Sequence, residues 1–490
     1  MQINSQSKFF RVLSVLLSGI CFYFGLSLNG HLGWLMWIAP FPILYISLYA
    51  KPGRTFQMAF LAYLIGWLSW FPYLKTVMPL PPAILFTLLL PLVFALIVVM
   101  TRKICLVSHH WFSAFSFPVL VTAFEYIVFI FSKDGTAASI AYTQCNNLYL
   151  IQVASVTGIL GISFLISLFP SSLALIWFSR KNRKNSNTLT IITVSIYFIV
   201  IIFGAVRLHQ APSGNPVSIA MISLDESENK WVFDQNPLKK TELADHYLRE
   251  LSYLADSGAK IILLPEKVIY VTDPTDSFVL QKFSDFAENR HVKLILGGAK
   301  QENGRWYNNA WVISGQGNLV ADYQKVNLFE GEIGDGFSSG NKIAVFNTGI
   351  ANEGVAICKD MDFQQFILGY SKKSPAILYV PAWDFVSDGW LHSRMAILRG
   401  VEGGFSLLRN ARQGRLTISD WRGEVLVERN SEAGIKTILT GNISAKPHPT
   451  IYAMAGDWFG TVCLFASAGF GLFLFSRKRK SQPDVRNISE

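Results

Sequence analysis

What most restricts the possible folds is a series of long apolar runs, near residues 11–28, 32–50, 57–74, 81–100, 112–131, 151–178 and 188–206, with an eighth from Trp458 to Phe475. A hydrocarbon core about 30 Å thick takes about 20 residues of helix to cross. The sequence therefore predicts seven membrane helices before residue 210 and an eighth near the C-terminus. Charged residues make up only 16% of the chain, against roughly 25% in soluble domains, so a wholly soluble fold is excluded. Lys8 and Arg11 precede the first run as in a signal peptide. No small-x-small cleavage site follows and further runs come after it, which reads as an uncleaved helix.

The net charge of +10 invites a nucleic-acid reading, but the positions of the charges argue against it. Lys8/Arg11, Lys51/Arg54, Arg102/Lys103, the run from Arg180 to Lys184 and the cluster from Arg477 to Lys480 fall on one side of the predicted helices. Lys75 and Lys133 fall on the other. That is the positive-inside pattern, and no basic stripe with interleaved aromatics suggests a nucleic-acid partner. It puts both termini in the cytoplasm and residues 210–455 on the external face. Within the predicted spans, Glu125 reads as a tie between helices, and Trp67, Trp70, Phe71 and Tyr73 read as interfacial aromatics.

Three parts follow: a membrane domain over 1–209, a polar domain over 210–455, and a final helix with a basic tail over 456–490. The polar domain alternates short β-type runs with amphipathic helical stretches, an α/β pattern. The predicted strands are Val217–Ser223, Lys260–Leu264, Lys293–Gly297, Ala310–Ser314, Ile343–Asn347, Gly354–Ile357, Ala376–Val380, Phe405–Asn410, Leu416–Ser419 and Lys436–Gly441. Leu243, Tyr247, Leu251 and Leu254 mark the inward face of a helix between the first two.

Cys21, Cys105, Cys145, Cys358 and Cys463 are odd in number and hold no CxxC, so neither a disulfide framework nor a zinc site is expected. His109-His110 lacks supporting ligands, and no metal or nucleotide motif is visible. No cofactor is expected. Chemistry is suggested instead by three residues that each follow an apolar approach: Glu266 in Ile-Ile-Leu-Leu-Pro-Glu, Lys325 in Asp-Tyr-Gln-Lys-Val-Asn-Leu-Phe, and Cys358 in Gly-Val-Ala-Ile-Cys-Lys-Asp. Strand ends of an open sheet meet at a crevice, so a carboxylate, an ammonium and a thiol can converge there. A thiol with a pKa near 8.5 needs a base to attack at neutral pH. Glu266 can take that proton, while Lys325 and the N–H after Cys358 can hold an oxyanion. The chemistry this suggests is acyl transfer.

In these contexts and this order, Leu-Pro-Glu, Tyr-x-Lys-x-x-Leu-Phe and Ile-Cys-x-Asp, the sequence resembles the carbon–nitrogen hydrolase (nitrilase) superfamily. The resemblance implies an α-β-β-α sandwich with Cys358 as nucleophile. It also implies a second acid at Glu330 or Glu332. With the helices on either side, the whole chain resembles the apolipoprotein N-acyltransferase family. The matches extend to Asp134-Gly135, to the stretch from Leu150 to Gly158, and to His392, Arg399, Glu402, Leu408, Arg409 and Gly414. Glu402 is expected to order the site or its helix, and Arg409 to pair with a carboxylate.

The implied reaction takes an acyl chain from a membrane phospholipid and passes it through a Cys358 thioester to the N-terminal amine of a diacylated lipoprotein. It would run at the outer face of the inner membrane of a Gram-negative type of cell, with the protein a monomer. Arg207–Pro216 and Pro447–Asp457 would hold the crevice against the bilayer. The chain departs from that family after the nucleophile, where Cys358-Lys359-Asp360-Met361-Asp362 replaces Cys-Tyr-Glu; Lys359 either acts on the thiol or a phosphate headgroup, or points to solvent. Lys267 and Pro381-Ala382-Trp383 also depart from the pattern and would reshape the pocket wall. A membrane-tethered amidase is the alternative reading, and a lipid- or protein-binding module or a transporter a more distant one.

Overall fold

The computed structural model describes residues 7–210, 214, 216–224, 237–272, 277–348 and 351–480. Residues 211–213 and 215 of the expected connector, and the tail 481–490, lie outside them. Among the described residues, six helices are long and apolar enough to cross a membrane: Lys8–Gly25, Leu80–Ser108, Trp111–Phe131, Ile159–Phe178, Arg183–Leu208 and Trp458–Arg477.

Two of the eight predicted spans take another form. The run 32–50 breaks into a 3-10 turn, Gly33–Trp37, and a seven-residue helix, Phe41–Ser47. Pro40 and Pro42 lie at the break, where a ring without an N–H can start a helix but not continue one. The run 57–74 forms a 16-residue helix, Pro52–Trp67, then a 3-10 turn and a second short helix from Phe71. At 1.5 Å per residue the first piece is about 24 Å long, short of the hydrocarbon thickness. The run 151–178 starts its long helix only at Ile159, because Gly158 at φ +67° ends the turn before it.

Trp67 and Trp70 face the protein interior. They are buried, stack at 4.8 Å, and Trp70 donates to the Leu26 carbonyl at 2.8 Å. Glu125 is buried and accepts from the Ile140 N–H at 2.8 Å and the Ser139 hydroxyl at 3.2 Å, and it also bonds Ser163 of the helix Ile159–Phe178, the expected tie between helices.

Among the described residues the polar part holds thirteen strands: β1 (Pro216–Leu224), β2 (Ile261–Leu263), β3 (Ile269–Thr272), β4 (Lys293–Glu302), β5 (Arg305–Ile313), β6 (Leu319–Gln324), β7 (Ala344–Asn347), β8 (Asn352–Val355), β9 (Ile377–Trp383), β10 (Ser406–Arg412), β11 (Arg415–Ser419), β12 (Val425–Asn430) and β13 (Lys436–Ser444). One sheet runs β13-β1-β2-β4-β5-β6, with β3 also paired to β4; the other runs β12-β11-β10-β9-β8-β7.

Alternation along each strand assigns the faces. Ile219, Met221 and Ile295 meet Ile377, Tyr379 and Leu408 between the sheets. Ala220, Ile222, Leu294 and Leu296 face outward onto the helices Pro237–Asp256 and Ser277–Arg290. Leu378, Val380 and Leu407 pack with Ile367 and Ile397 of the helices Gln364–Ser371 and Gly389–Gly403. The order of layers is helix, sheet, sheet, helix, the expected α-β-β-α sandwich.

The membrane part grips this sandwich beside β8. The Thr136 N–H and hydroxyl both donate to the Asp362 carbonyl, at 2.9 and 2.8 Å. Gly135, at φ +53°, lies so close that an added Cβ would fall 2.4 Å from that oxygen. Glu402 accepts from the Ile159 N–H at 2.8 Å, at the start of a membrane helix, and pairs with Arg399 at 2.5 Å.

Candidate active site

Three strand ends supply the core of the site. Glu266 follows β2, Lys325 follows β6 and Cys358 follows β8. Each lies at or just past the end of its strand, where side chains meet at the crevice mouth. Lys325 donates to Glu266 Oε1 at 3.0 Å and to Glu332 Oε2 at 2.7 Å. Asn308 of β5 bridges the same two carboxylates from Nδ2, at 2.5 and 2.6 Å. Lys267 pairs with Glu332 Oε1 at 2.8 Å. Two buried acids thus meet two buried ammonium groups, and the cluster is close to neutral, as a water-poor site requires.

The charges of this cluster depend on one another. Burial opposes the charge on Lys325, yet Glu266 and Glu332 raise its pKa well above the usual lysine value. Burial works against the Glu332 carboxylate too, but Lys325 and Lys267 bring its pKa far below the ordinary range. The Cys358 thiol is pushed well above its usual pKa by burial and then by the Glu266 charge, with Lys325 opposing. At neutral pH it is a neutral thiol that needs a base. Glu266 Oε2 is buried and has no hydrogen-bond partner among the described residues, which leaves one carboxylate oxygen free to accept a proton.

Cys358 occupies the left-handed region at φ +44°, a conformation that costs about 1–3 kcal/mol for a residue with a Cβ and persists only where surrounding bonds impose it. Asp360 supplies those bonds. Its carboxylate accepts from the Ile357 N–H at 3.0 Å, the Asn327 N–H at 2.8 Å and the Tyr323 hydroxyl at 2.6 Å, tying the thiol's turn to the Lys325 segment. The thiol itself lies 3.5 Å from the Trp383 carbonyl. The Trp383 ring packs under Arg412 and Lys267, at 4.4 and 5.7 Å. Arg409 forms a buried two-bond pair with Asp384, at 2.7 and 2.6 Å.

The other sequence candidates separate. Glu332 joins the cluster, whereas Glu330 is exposed and stands outside it. Lys359 turns neither to the thiol nor to open water; it is buried and pairs with Asp134 of the membrane part at 2.7 Å. Glu402 lies at the membrane joint, away from the thiol. His392 sits between Asp362 and Asp388, at 3.5 and 3.3 Å. Sequence reasoning missed the roles of Lys267, Asn308, Tyr323, Asn327 and Asp384. A signal for Asn308 existed: an Asn-Asn pair inside the apolar Trp-Tyr-Asn-Asn-Ala-Trp strand has no reason to be buried unless it meets polar partners.

Burial disfavours the His392 charge, but Asp388 and Asp362 raise its pKa well above 6.5. Asp384 also feels this imidazolium, and Asp388 bonds Tyr73 of the membrane part. A raised native pKa stabilises fully below the unfolded value near 6.5 and is lost as pH rises through the native one. Thermal unfolding of the wild type should therefore lose this contribution on the alkaline side of 6.5. His392→Asn should flatten that part of the curve, and an unchanged slope would contradict the assignment.

Two family models match the chain: Carbon-nitrogen hydrolase over residues 219–444 and Apolipoprotein N-acyltransferase N-terminal domain over residues 18–172. The chain is 26% identical over 496 aligned residues to the apolipoprotein N-acyltransferase of Geobacter metallireducens, covering 91% of each protein. It is 24% identical over 503 to that of Thermotoga maritima, covering 93% of each. Omega-amidase NIT2 of Homo sapiens is 27% identical over 170 residues, covering 30% of this chain and 62% of that protein. In its helical part and its sandwich together, the chain is similar over nine-tenths of its length to apolipoprotein N-acyltransferases, and its sandwich matches the carbon–nitrogen hydrolase model.

Proposed function

We propose that this protein transfers an acyl chain from a membrane phospholipid to the N-terminal amine of a diacylglyceryl-cysteine lipoprotein, through a thioester on Cys358. The observation that carries this reading is a half-buried thiol, its pKa raised by burial and the Glu266 charge, beside a carboxylate with one free oxygen, with the membrane loop docked on the thiol's own turn.

Glu266 takes the thiol proton as sulfur attacks the ester carbonyl carbon. The tetrahedral oxyanion is met by the Lys325 ammonium and the Lys359 N–H. The carbon–oxygen bond breaks, the leaving alkoxide takes the proton from Glu266, and lysophospholipid departs. The lipoprotein amine then attacks the thioester carbonyl and gives a proton to Glu266. The carbon–sulfur bond breaks, and the thiolate takes that proton back. Glu332, Asn308 and Lys267 hold Lys325 and Glu266 in register and touch no reacting atom.

The helices keep both lipid-anchored substrates in the bilayer, sparing the transfer of acyl chains into water at about 0.8 kcal/mol per CH₂. The charge asymmetry of the loops supports an inner-membrane, multi-pass placement with both termini cytoplasmic and the sandwich on the external face. The reading is tested by incubating the purified protein with phospholipid and a synthetic diacylated lipopeptide bearing a free N-terminus. The lipopeptide should gain one acyl mass in an amide bond stable to hydroxylamine. Release of free fatty acid with no acylated lipopeptide would instead indicate water as acceptor, the amidase-like outcome.

A further inference from the structure

The residue next to the nucleophile is a lysine whose ammonium is almost wholly covered, with 9% of the side chain exposed, and whose ion-pair partner at 2.7 Å is Asp134, 53% exposed. The pair is lopsided: a desolvated cation held by a solvated anion. A buried ammonium needs an anion against it at all times, whereas a half-exposed aspartate can return to water at little cost. The backbone beneath Asp134 is fixed, because Gly135 and Thr136 are pinned to the Asp362 carbonyl. Only the Asp134 side chain has to turn for the ammonium to become available. Phe329, 5.6 Å from the ammonium, packs edge-on against Phe385, which leaves an apolar rim beside this charge.

We propose that Lys359 is the subsite for the phosphodiester of the acyl donor, and that Asp134 fills it when no donor is bound. This rests on the acyl-transfer reading above and deepens it. A phosphodiester carries a single negative charge, so exchanging it for the aspartate keeps the buried charge balanced. An ammonium is a strong point-charge partner for phosphate. In a glycerophospholipid the phosphate lies a few bonds from the ester carbonyl that Cys358 attacks, and consecutive Cα atoms are about 3.8 Å apart, so neighbouring residues can address both groups of one molecule. The departure from the family's Cys-Tyr-Glu thus becomes a contact to the donor.

The test compares two donors with the same esters on the full-length protein in mixed micelles: dioleoyl phosphatidylethanolamine, and dioleoylglycerol, which lacks the phosphate. The readout is kcat/KM for acyl-enzyme formation by intact mass. Lys359→Met should lower the preference for phospholipid over diacylglycerol about tenfold, through KM for the phospholipid, the order expected for losing a charge-assisted contact. Lys359→Arg should restore most of it, and Asp134→Asn should lower KM for the phospholipid alone. If Lys359→Met slows both donors by the same factor, or Asp134→Asn weakens phospholipid binding, the pair is a structural tie and the proposal is overturned. Wild-type acylation that ignores the phosphate removes this proposal only; no acylation of the wild type by either donor removes the acyl-transfer reading with it.

Discussion

Lys325→Met should abolish acyl transfer and also weaken the fold. The ammonium is buried between Glu266 and Glu332 and is the only group bonded to both carboxylates besides Asn308 among the described residues. Its removal leaves two buried acids with one cation, Lys267, which reaches Glu332 but shows no bond to Glu266. Breaking such a pair from one side costs about 3–5 kcal/mol. Thermal unfolding in detergent should show a drop of that order. Adding Glu332→Gln to Lys325→Met should recover part of the stability and none of the activity, because the orphaned charge is gone while the oxyanion's cation is still missing. Equal stability of Lys325→Met and wild type would show that the cluster is not a charge-balanced unit.

Glu266→Gln should separate two properties that usually move together. Loss of a general base lowers the acylation rate by about 10²–10⁴. The Glu266 charge is also one of the causes that raise the Cys358 pKa, second only to burial. A neutral side chain at that position lets the thiol ionise at lower pH. Alkylation of Cys358 by iodoacetamide, followed against pH, should therefore shift its midpoint downward in the very variant whose acyl transfer is lost. A midpoint shifted upward would mean that the carboxylate group stabilises the thiolate in the resting protein, and would contradict the mechanism above.

Much of this was legible from the residues. The runs leading to Glu266 and Cys358, Ile-Ile-Leu-Leu and Gly-Val-Ala-Ile, are wholly buried, and such apolar runs stand out in any window. The strands missed by sequence were edge or accessory ones. β6, Leu-Val-Ala-Asp-Tyr-Gln, and β12, Val-Leu-Val-Glu-Arg-Asn, are largely unburied, so their side chains carry little pattern. β3 is four residues long and joins its sheet only beside the far half of β4.

Glu330 and Glu332 illustrate a different limit. Two positions apart on the helix Glu330–Gly334 they face opposite ways, so only one could join Lys325. Which one does depends on how the preceding loop enters, which spacing does not determine. The two broken spans failed for a local reason, since hydropathy sums ignore proline, whose missing N–H cuts a run without changing its mean. The tie from Lys359 to Asp134 spans 225 residues of sequence and had no local signature at all.

The central claim is that Cys358 carries the acyl chain, and the most direct measurement is the intact mass of the full-length protein after incubation with phospholipid of one defined chain length. The wild type should gain the mass of one such chain, hydroxylamine should remove it, and Cys358→Ala should gain nothing. An acyl mass on Cys358→Ala, or a folded wild type that acylates a lipopeptide with no trappable adduct at any time point, would contradict the account.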